Sequence, residues 1–413
     1  MNFYSLRQLV ALAKYTSPIY QQLYRQVEPD SALADLPILT HQALMAIVHA
    51  ERPDGVFEAA AHGLIFESSA STGKPKVTLF GHDEWETSTR LLAAHLWRNG
   101  LLRDGDHLCN LCASPYLSYR LVHSVVERYP GPCSEIPIGC DAAFHALNDS
   151  IFKYAGNVLA AINSTVVGLA CDLLSRAQVN RRVERILAGG ELLYGAQRTL
   201  IRQAFPNAVL VSFMFGTTES GLIACSRLDD GPDVFRPLAS AGIVEIVDEI
   251  SGAPITSTRR AGKCVVTSLI RAAAPALRVD TGDYAEWLDG PMEPEPRFRL
   301  LGRKFPFTHT LRNAQFSETD VWALIRELEP YLPLTKLQLQ IYPHRVEIAY
   351  ALLDHAERFA GDGAQAKRRL ADAVGWRLPM LAAADVPVLI VRRDLTYFLE
   401  DTRRKGRLIK DCR

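Results

Sequence analysis

The sequence predicts an α/β protein: a large N-terminal domain of layered α/β sheets with a smaller β-rich unit, then a small α+β C-terminal domain. Three observations predict it. Between Leu64 and Phe215, short apolar runs alternate with amphipathic helical stretches, the pattern of a largely parallel sheet with helical crossovers. After residue 233 the strands shorten and alternate polar with apolar residues, as antiparallel strands do. A Pro-rich stretch from Pro291 to Pro296 then precedes Gly302-Arg303. It divides the chain into residues 1–301 and 302–413.

Residues 5–28 read as one or two helices closing near Pro29, and "HQALMAIVHAE" as another after the "ADLPILT" turn. The segment 64–80, "LIFESSASTGKPKVTLF", reads as strand, loop, strand. Apolar spacing makes 83–101 helical. "DHLCNLCAS" is a strand, 117–129 a helix, "CSEIPIG" a strand and 143–161 a helix. "STVVGLA" is β-branched and reads as a strand, as do "RVERILAGG" and "AVLVSFMFG". "AGIVEIVDE", "GKCVVTSLI" and "DYAEWLD" are the alternating strands of the smaller unit. In the C-terminal domain, 317–329 and 363–376 are helices, 336–352 is strand-rich and 387–393 is a strand.

The chain has 413 residues with 46 basic and 46 acidic side chains, 48% hydrophobic and 22% charged. These values exclude long-range disorder and collagen. Zero net charge argues against a nucleic-acid or anionic-membrane partner, since both need clustered Lys and Arg. The basic run from Arg403 to Arg413 reads as a solvated tail. Eight cysteines, mostly inside apolar runs, point to buried free thiols in a reducing, cytoplasmic compartment. Cys109 and Cys112 have CxxC spacing, which without a second pair is a weak zinc signal. The N-terminus reads as an amphipathic helix and not a signal peptide. No window holds the roughly 18 apolar residues of a membrane span.

Several motifs carry chemistry. Ser68 to Lys76, with Ser69, Ser71, Thr72, Gly73, Lys74 and Lys76, sets hydroxyls, a glycine and two lysines between two strands. Hydroxyls, free backbone N–H groups and lysines can surround phosphate oxygens; such clusters also form ordinary polar turns. It is not a Walker loop, because Ser68 and Pro75 stand where that pattern needs Gly and Ser/Thr. Phe215-Gly216-Thr217-Thr218-Glu219 follows a buried strand. Glu219 can hold Mg²⁺ through hard oxygen, or can sit in the first turn of a helix capped by Thr218. Gly189-Gly190-Glu191 follows another strand. In Thr281-Gly282-Asp283 the carboxylate can accept both ribose hydroxyls, or cap a turn. Gly302-Arg303 and the near-terminal Lys405 complete the set.

The order and spacing of these motifs resemble the adenylate-forming superfamily of acyl-CoA synthetases, peptide-synthetase adenylation domains and luciferases. Within it the chain looks most like the phenylacetate-CoA ligase branch, on the short length, "LVALAKYTSPIYQQLY" with "LADLPILT", and "KGRLIKDCR". The resemblance implies ATP-dependent carboxylate activation, forming an acyl adenylate and pyrophosphate, then transfer to a thiol of CoA or a carrier protein. Transfer to an amine, or a nucleotide binder that has lost turnover, are its alternatives. It implies ATP and Mg²⁺, an aryl or other small carboxylic acid, and a dimer as a candidate assembly. It implies that Ser69–Lys76 embraces the β- and γ-phosphates and that Gly189–Glu191 lines the adenine and acyl pocket. Phe215 would stand by the adenine, in a segment with Gly216 and Thr217. Thr218 would meet the α-phosphate, Glu219 the metal and Asp283 the ribose. Arg303 matches the arginine after the domain boundary, and Lys405 the catalytic lysine of a mobile lid. Tyr116, Tyr119, His123 and Phe213 fall near the expected acyl pocket.

Three departures stand out. Ala70 replaces a usual glycine. Lys304-Phe305-Pro306 replaces an acidic hinge, and Pro306 fixes φ there. Arg312 aligns with a glycine beside the pantetheine tunnel, so free CoA is expected to be a poor acceptor.

Overall fold

The computed structural model describes residues 3–16, 18–40, 43–44, 62–67, 77–114, 116–303, 308–353, 363–398 and 408–413. The hairpin of β1 (Gly63–Glu67) and β2 (Val77–Gly81) flanks residues 68–76, which lie outside that set. So does nearly all of "HQALMAIVHAE".

A five-stranded sheet follows, made of β3 (Asp106–Asn110), β4 (Cys133–Ile136), β5 (Val158–Ile162), β6 (Arg185–Gly189) and β7 (Val209–Ser212). All its pairings are parallel, in the order β4-β3-β5-β6-β7. Both faces are apolar because both are covered. Leu108, Val158, Ala160, Leu187 and Val211 pack toward the helices His82–Arg98 and Leu117–Glu127. Cys109, Leu159, Ala161, Ile186 and Ala188 pack toward Phe144–Lys153, Asn163–Ser175 and Gly195–Ala204. The strand period of two sorts these residues onto opposite faces.

The structure corrects three sequence assignments here. "STVVGLA" is helical, inside Asn163–Ser175. Its β-branched residues lose to context: Thr165 through Ala170 are all buried, so this helix is apolar nearly all round and shows no clear period. The predicted helix 143–161 stops at Lys153. Ala155 at φ +56 turns the chain, and β5 begins five residues after the helix ends. "AVLVSFMFG" is two strands: β7 closes the parallel sheet, and β8 (Met214–Thr217) opens an antiparallel one.

That antiparallel sheet adds β9 (Gly221–Cys225), β10 (Val234–Pro237), β11 (Gly242–Val247), β12 (Ala261–Ser268), β13 (Val279–Trp287) and β14 (Phe298–Arg303). Its order is β11-β12-β13-β14-β10-β9-β8. Leu9, Val10, Ala13, Tyr20 and Tyr24 of the N-terminal region pack with Ile246, Val266 and Phe298 in one core. Tyr20 Oη accepts the Leu277 N–H at 3.0 Å, so its hydroxyl is satisfied where it is buried.

β14 ends at Arg303. Beyond it, β15 (Thr308–Leu311) and β16 (Ala314–Ser317) form a hairpin, followed by the helix Glu318–Leu328. A four-stranded sheet then joins β17 (Leu334–Ile341), β18 (Val346–Leu352), β19 (Val388–Arg392) and β20 (Ile409–Asp411) in the order β19-β18-β17-β20. Leu324, Leu337, Ile348 and Leu370 belong to its core, which also takes in Tyr194. The Tyr194 ring meets Trp322 edge-on at 5.5 Å, and Gln197 Nε2 donates to the Thr335 carbonyl at 2.7 Å. Among the described residues, no helix is long and apolar enough to cross a membrane.

Candidate active site

The strand that changes sheets builds the centre of the site. After β7, Phe213 carries the chain into β8, and β8 returns through Thr218, Glu219 and Ser220 into β9. The Phe-Gly-Thr-Thr-Glu motif is therefore a β-hairpin turn, and the alternative of a helix capped by Thr218 is set aside. Thr217 and Ser220 close the turn on each other. The Thr217 N–H donates to Ser220 Oγ and the Ser220 N–H to Thr217 Oγ1, both at 3.0 Å. A Cβ on Gly216 would lie 1.9 Å from the Gly221 carbonyl oxygen, so only glycine permits the approach of the two strands.

Phe215 is buried among Phe235 and Phe298, with ring centroids 5.7 Å away in each case, and it lines a cavity. Glu219 is 7% exposed. Its charge acts on both neighbouring guanidiniums: burial lowers the Arg271 pKa while Glu84 and Glu219 push it back, and Asp283 and then Glu219 raise that of Arg303. The Glu219 carboxylate and the Thr217 and Thr218 hydroxyls are all hard oxygens, the donor set that fits Mg²⁺.

Gly189 ends β6, and Gly190 at φ +84 turns the chain away. Glu191 is held by the helix that starts at Asn163. Asn163 Nδ2 donates to the Glu191 carbonyl, and Ser164 Oγ donates to Glu191 Oε1 at 3.1 Å.

Thr281-Gly282-Asp283 is not a turn but a bulge inside β13. Its pairing with β12 passes from Lys263 opposite Tyr284 to Val265 opposite Asp280. The extra residues take up a local bend, with Gly282 at φ +77. The Asp283 N–H donates to Thr281 Oγ1 at 3.1 Å, and Thr281 Oγ1 donates to the Cys264 carbonyl at 3.0 Å. On β14, Gly302 has φ +120 and Arg303 Nε donates to Asp283 Oδ1 at 2.8 Å. This contact and the neighbouring charges raise the Arg303 pKa, with Asp283 the largest cause.

Two cavities meet at these segments. One, of about 210 Å³, is lined by Gly189–Leu192, Phe215, Gly216, Asp283, Gly302 and Arg303, and by Glu318, Trp322, Lys336 and Leu408 of the C-terminal part. The other, of about 260 Å³, is walled by Phe80, Trp85, Leu117, Leu121, Phe213 and Leu222, with Glu67, Ser88, Tyr116, Ser118, Thr217 and Thr218 at its polar points. Gly189, Gly190, Met214 and Gly216 belong to both walls. No Lys, Arg or His is among the described residues of the second wall. In the first, burial lowers the Lys336 pKa while Glu191 and Glu318 push it back. Burial also raises the Glu318 pKa.

Tyr116 and Phe213 thus line the apolar cavity. Tyr119 and His123 do not; His123 Nδ1 lies 2.6 Å from Glu135 Oε2. Glu219 lies at the turn itself and lines neither wall. Ser69, Ser71, Thr72, Gly73, Lys74, Lys76, Lys405 and the 304–306 hinge lie outside the described residues. Cys109 and Cys112 are buried, and burial pushes both thiols up to about 12, away from the thiolate form that binds metals. Among the described residues, no three His, Cys, Asp or Glu side chains group to hold a metal. Sequence reasoning missed Trp85, Met214, Lys336 and Leu408. Trp85 lies in a helix, Met214 and Lys336 in strands and Leu408 just before β20, and nothing in their local pattern marks them as cavity wall.

No protein-family profile matches the chain. Indoleacetate–lysine synthetase of Pseudomonas savastanoi is 25% identical over 167 residues, 39% of this chain and 40% of that protein. The match therefore spans less than half of that relative's length. Among solved structures, 2-hydroxyisobutyryl-CoA ligase in the postadenylation state with 2-HIB-AMP superposes with a TM-score of 0.73. It covers 99% of this chain and 88% of its own, at 17% identity. ATP-bound MatB from Rhodopseudomonas palustris gives 0.52 at 15% identity, over 82% of this chain and 68% of its own. The chain has the adenylate-forming ligase fold.

Proposed function

We propose that this chain is an ATP-dependent, AMP-forming carboxylate ligase of the adenylate-forming superfamily. One observation carries the reading. A cavity with the charged side chains Asp283, Arg303, Glu318 and Lys336 in its wall opens against a more apolar cavity that has no cationic side chain among its described lining residues. The two share Gly189, Gly190, Met214 and Gly216. An acyl adenylate has this division: ribose and phosphate at one end, an apolar acyl group at the other, and the reacting carbonyl between them. Glycines in the shared wall let backbone approach the reacting atoms.

In this reading Asp283 accepts the ribose hydroxyls while Arg303 fixes its carboxylate. Gly189–Glu191 and Phe215 flank the adenine, and Thr218 meets the α-phosphate. Glu219 would hold Mg²⁺, which neutralises phosphate charge when bound. Ser69–Lys76 would take the β- and γ-phosphates. Lys405 would neutralise the charge that builds as carboxylate meets α-phosphate. Leu408, three residues along the chain from Lys405, lines the first cavity. Residues 302–413 would act as the mobile lid. All eight cysteines are free, which supports a reducing, cytoplasmic setting.

The apolar cavity favours an aryl or other small carboxylic acid without a second charge. A screen of such acids for AMP and pyrophosphate release tests the reading. ADP and phosphate as products, or no carboxylate-dependent release from folded protein, would overturn it.

The acceptor is a thiol, of CoA or a carrier protein, in the first reading. An amine acceptor is the second, favoured by the likeness to indoleacetate–lysine synthetase and by Arg312. Arg312 holds φ +52 in the two-residue turn between β15 and β16, a conformation that favours glycine. Its guanidinium donates to the Asp385 carbonyl and lies 3.7 Å from the Asp385 carboxylate. With preformed acyl adenylate, Arg312→Gly should raise transfer to free CoA at least about tenfold, or 1.4 kcal/mol. Unchanged transfer would clear Arg312 of any part in acceptor choice.

Asp283→Ala should weaken AMP binding by roughly tenfold or more, about 1.4 kcal/mol, and leave kcat near its original value. The ribose contact exists in ground and transition states alike. Calorimetric titration with AMP reads the change, and an unaltered affinity would remove Asp283 from the nucleotide site.

A further inference from the structure

We propose that Arg271 is a positioning residue for the metal-binding turn, holding the Glu219 backbone against the strand that leads out of the hydroxyl-rich loop. The inference rests on the reading of Glu219 given above.

Arg271 follows β12 and is fully buried. Its donors divide among three distant segments. Nε donates to the Glu219 carbonyl at 3.1 Å, Nη1 to Glu84 Oε2 at 2.7 Å and Nη2 to Thr78 Oγ1 at 3.0 Å. The guanidinium lies 3.7 Å over the Phe80 ring centroid. Thr78 and Phe80 belong to β2, which begins one residue after Lys76. Glu84 is itself buried, in the first turn of the helix His82–Arg98, and accepts the N–H groups of Gly81 at 3.1 Å and Ala272 at 2.6 Å.

One planar fork therefore spans the hairpin that carries Glu219 and the hairpin that carries the phosphate loop. A fork of fixed geometry transmits position better than a flexible ammonium. The charge arrangement fits the role as well. A lone guanidinium beside Glu219 would repel a divalent cation. Paired with Glu84 it adds no net charge, so Glu219 keeps its attraction for metal while its backbone is held.

The test uses the full chain and ATP titrated calorimetrically with and without Mg²⁺. In Arg271→Met/Glu84→Gln both buried charges go together, which avoids stranding either one. This variant should bind ATP in EDTA within about twofold of the parent, while the tightening given by Mg²⁺ falls at least about fivefold. Adding Glu219→Gln should then cost little more, because the two changes act on one contact. Arg271→Lys keeps the charge but not the fork, and should fall between. It carries the test if the double variant does not fold. Folded variants with undiminished Mg²⁺ tightening would make Arg271 merely structural and overturn the proposal. If the parent shows no Mg²⁺ tightening at all, the proposal falls with Glu219's role. If the parent tightens with Mg²⁺ but releases no pyrophosphate with any acid, only the proposed activity falls.

Discussion

Lys405→Ala should lose adenylation by roughly a thousandfold, about 4 kcal/mol of transition-state stabilisation, yet still transfer an acyl group from supplied acyl adenylate. Adenylation brings a carboxylate onto the α-phosphate of a polyanion. Positive charge placed where those anions meet acts only in that transition state. Once the adenylate exists, its phosphate is a leaving group and the lysine is no longer needed. Pyrophosphate exchange and single-turnover transfer measure the two halves separately. Lys410 is the internal control. It lies in β20 opposite Gln340 of β17, and it is exposed. Lys410→Ala should leave both halves intact. Loss of adenylation in Lys410→Ala, with normal activity in Lys405→Ala, would move the assignment five residues along the chain.

Glu219→Gln should keep the fold and lose Mg²⁺-dependent adenylation at least about tenfold, 1.4 kcal/mol or more. Glutamine matches the shape of glutamate, and the backbone contact from Arg271 to the Glu219 carbonyl survives the change. What disappears is one negative charge in a setting already shared with Arg271 and Arg303, so divalent-cation attraction should fall sharply. Titrating Mg²⁺ against pyrophosphate release gives the readout. Near-normal activity at low Mg²⁺ would remove Glu219 from the metal site. A parallel thermal melt should show a shift of no more than a few degrees.

Much of this protein was legible in the order of its residues. Period-two alternation places β11–β13 in an antiparallel sheet, because each such strand covers the core with one face only. Continuous apolar runs placed the parallel strands, which are covered on both faces. The same logic failed for Asn163–Ser175. A helix buried on nearly every side carries no amphipathic period, and its β-branched run then looks like a strand. Local sequence also named Asp283, Arg303, Gly189, Gly190 and the Phe215–Glu219 segment. Glycines beside hydroxyls and carboxylates are chemically conspicuous wherever they fall.

Tertiary structure alone decided how those residues act together. The step from β7 to β8 at Phe213 carries the chain that leads to the Glu219 turn into a second sheet, and the run "AVLVSFMFG", broken only by Ser212, gives no sign of a change of sheet. The bulge at Thr281–Asp283 turns a sequence that reads as a turn into a kink within a strand, because the missing partners lie on β12 and β14. Arg271 is silent in sequence: its partners Glu84 and Thr78 stand 187 and 193 residues away. The sequence by itself singled out the side chains proposed here for nucleotide, metal and acid. Which of them share a wall, and which guanidinium ties two hairpins together, depended on contacts between segments far apart in the chain, where no local pattern reaches.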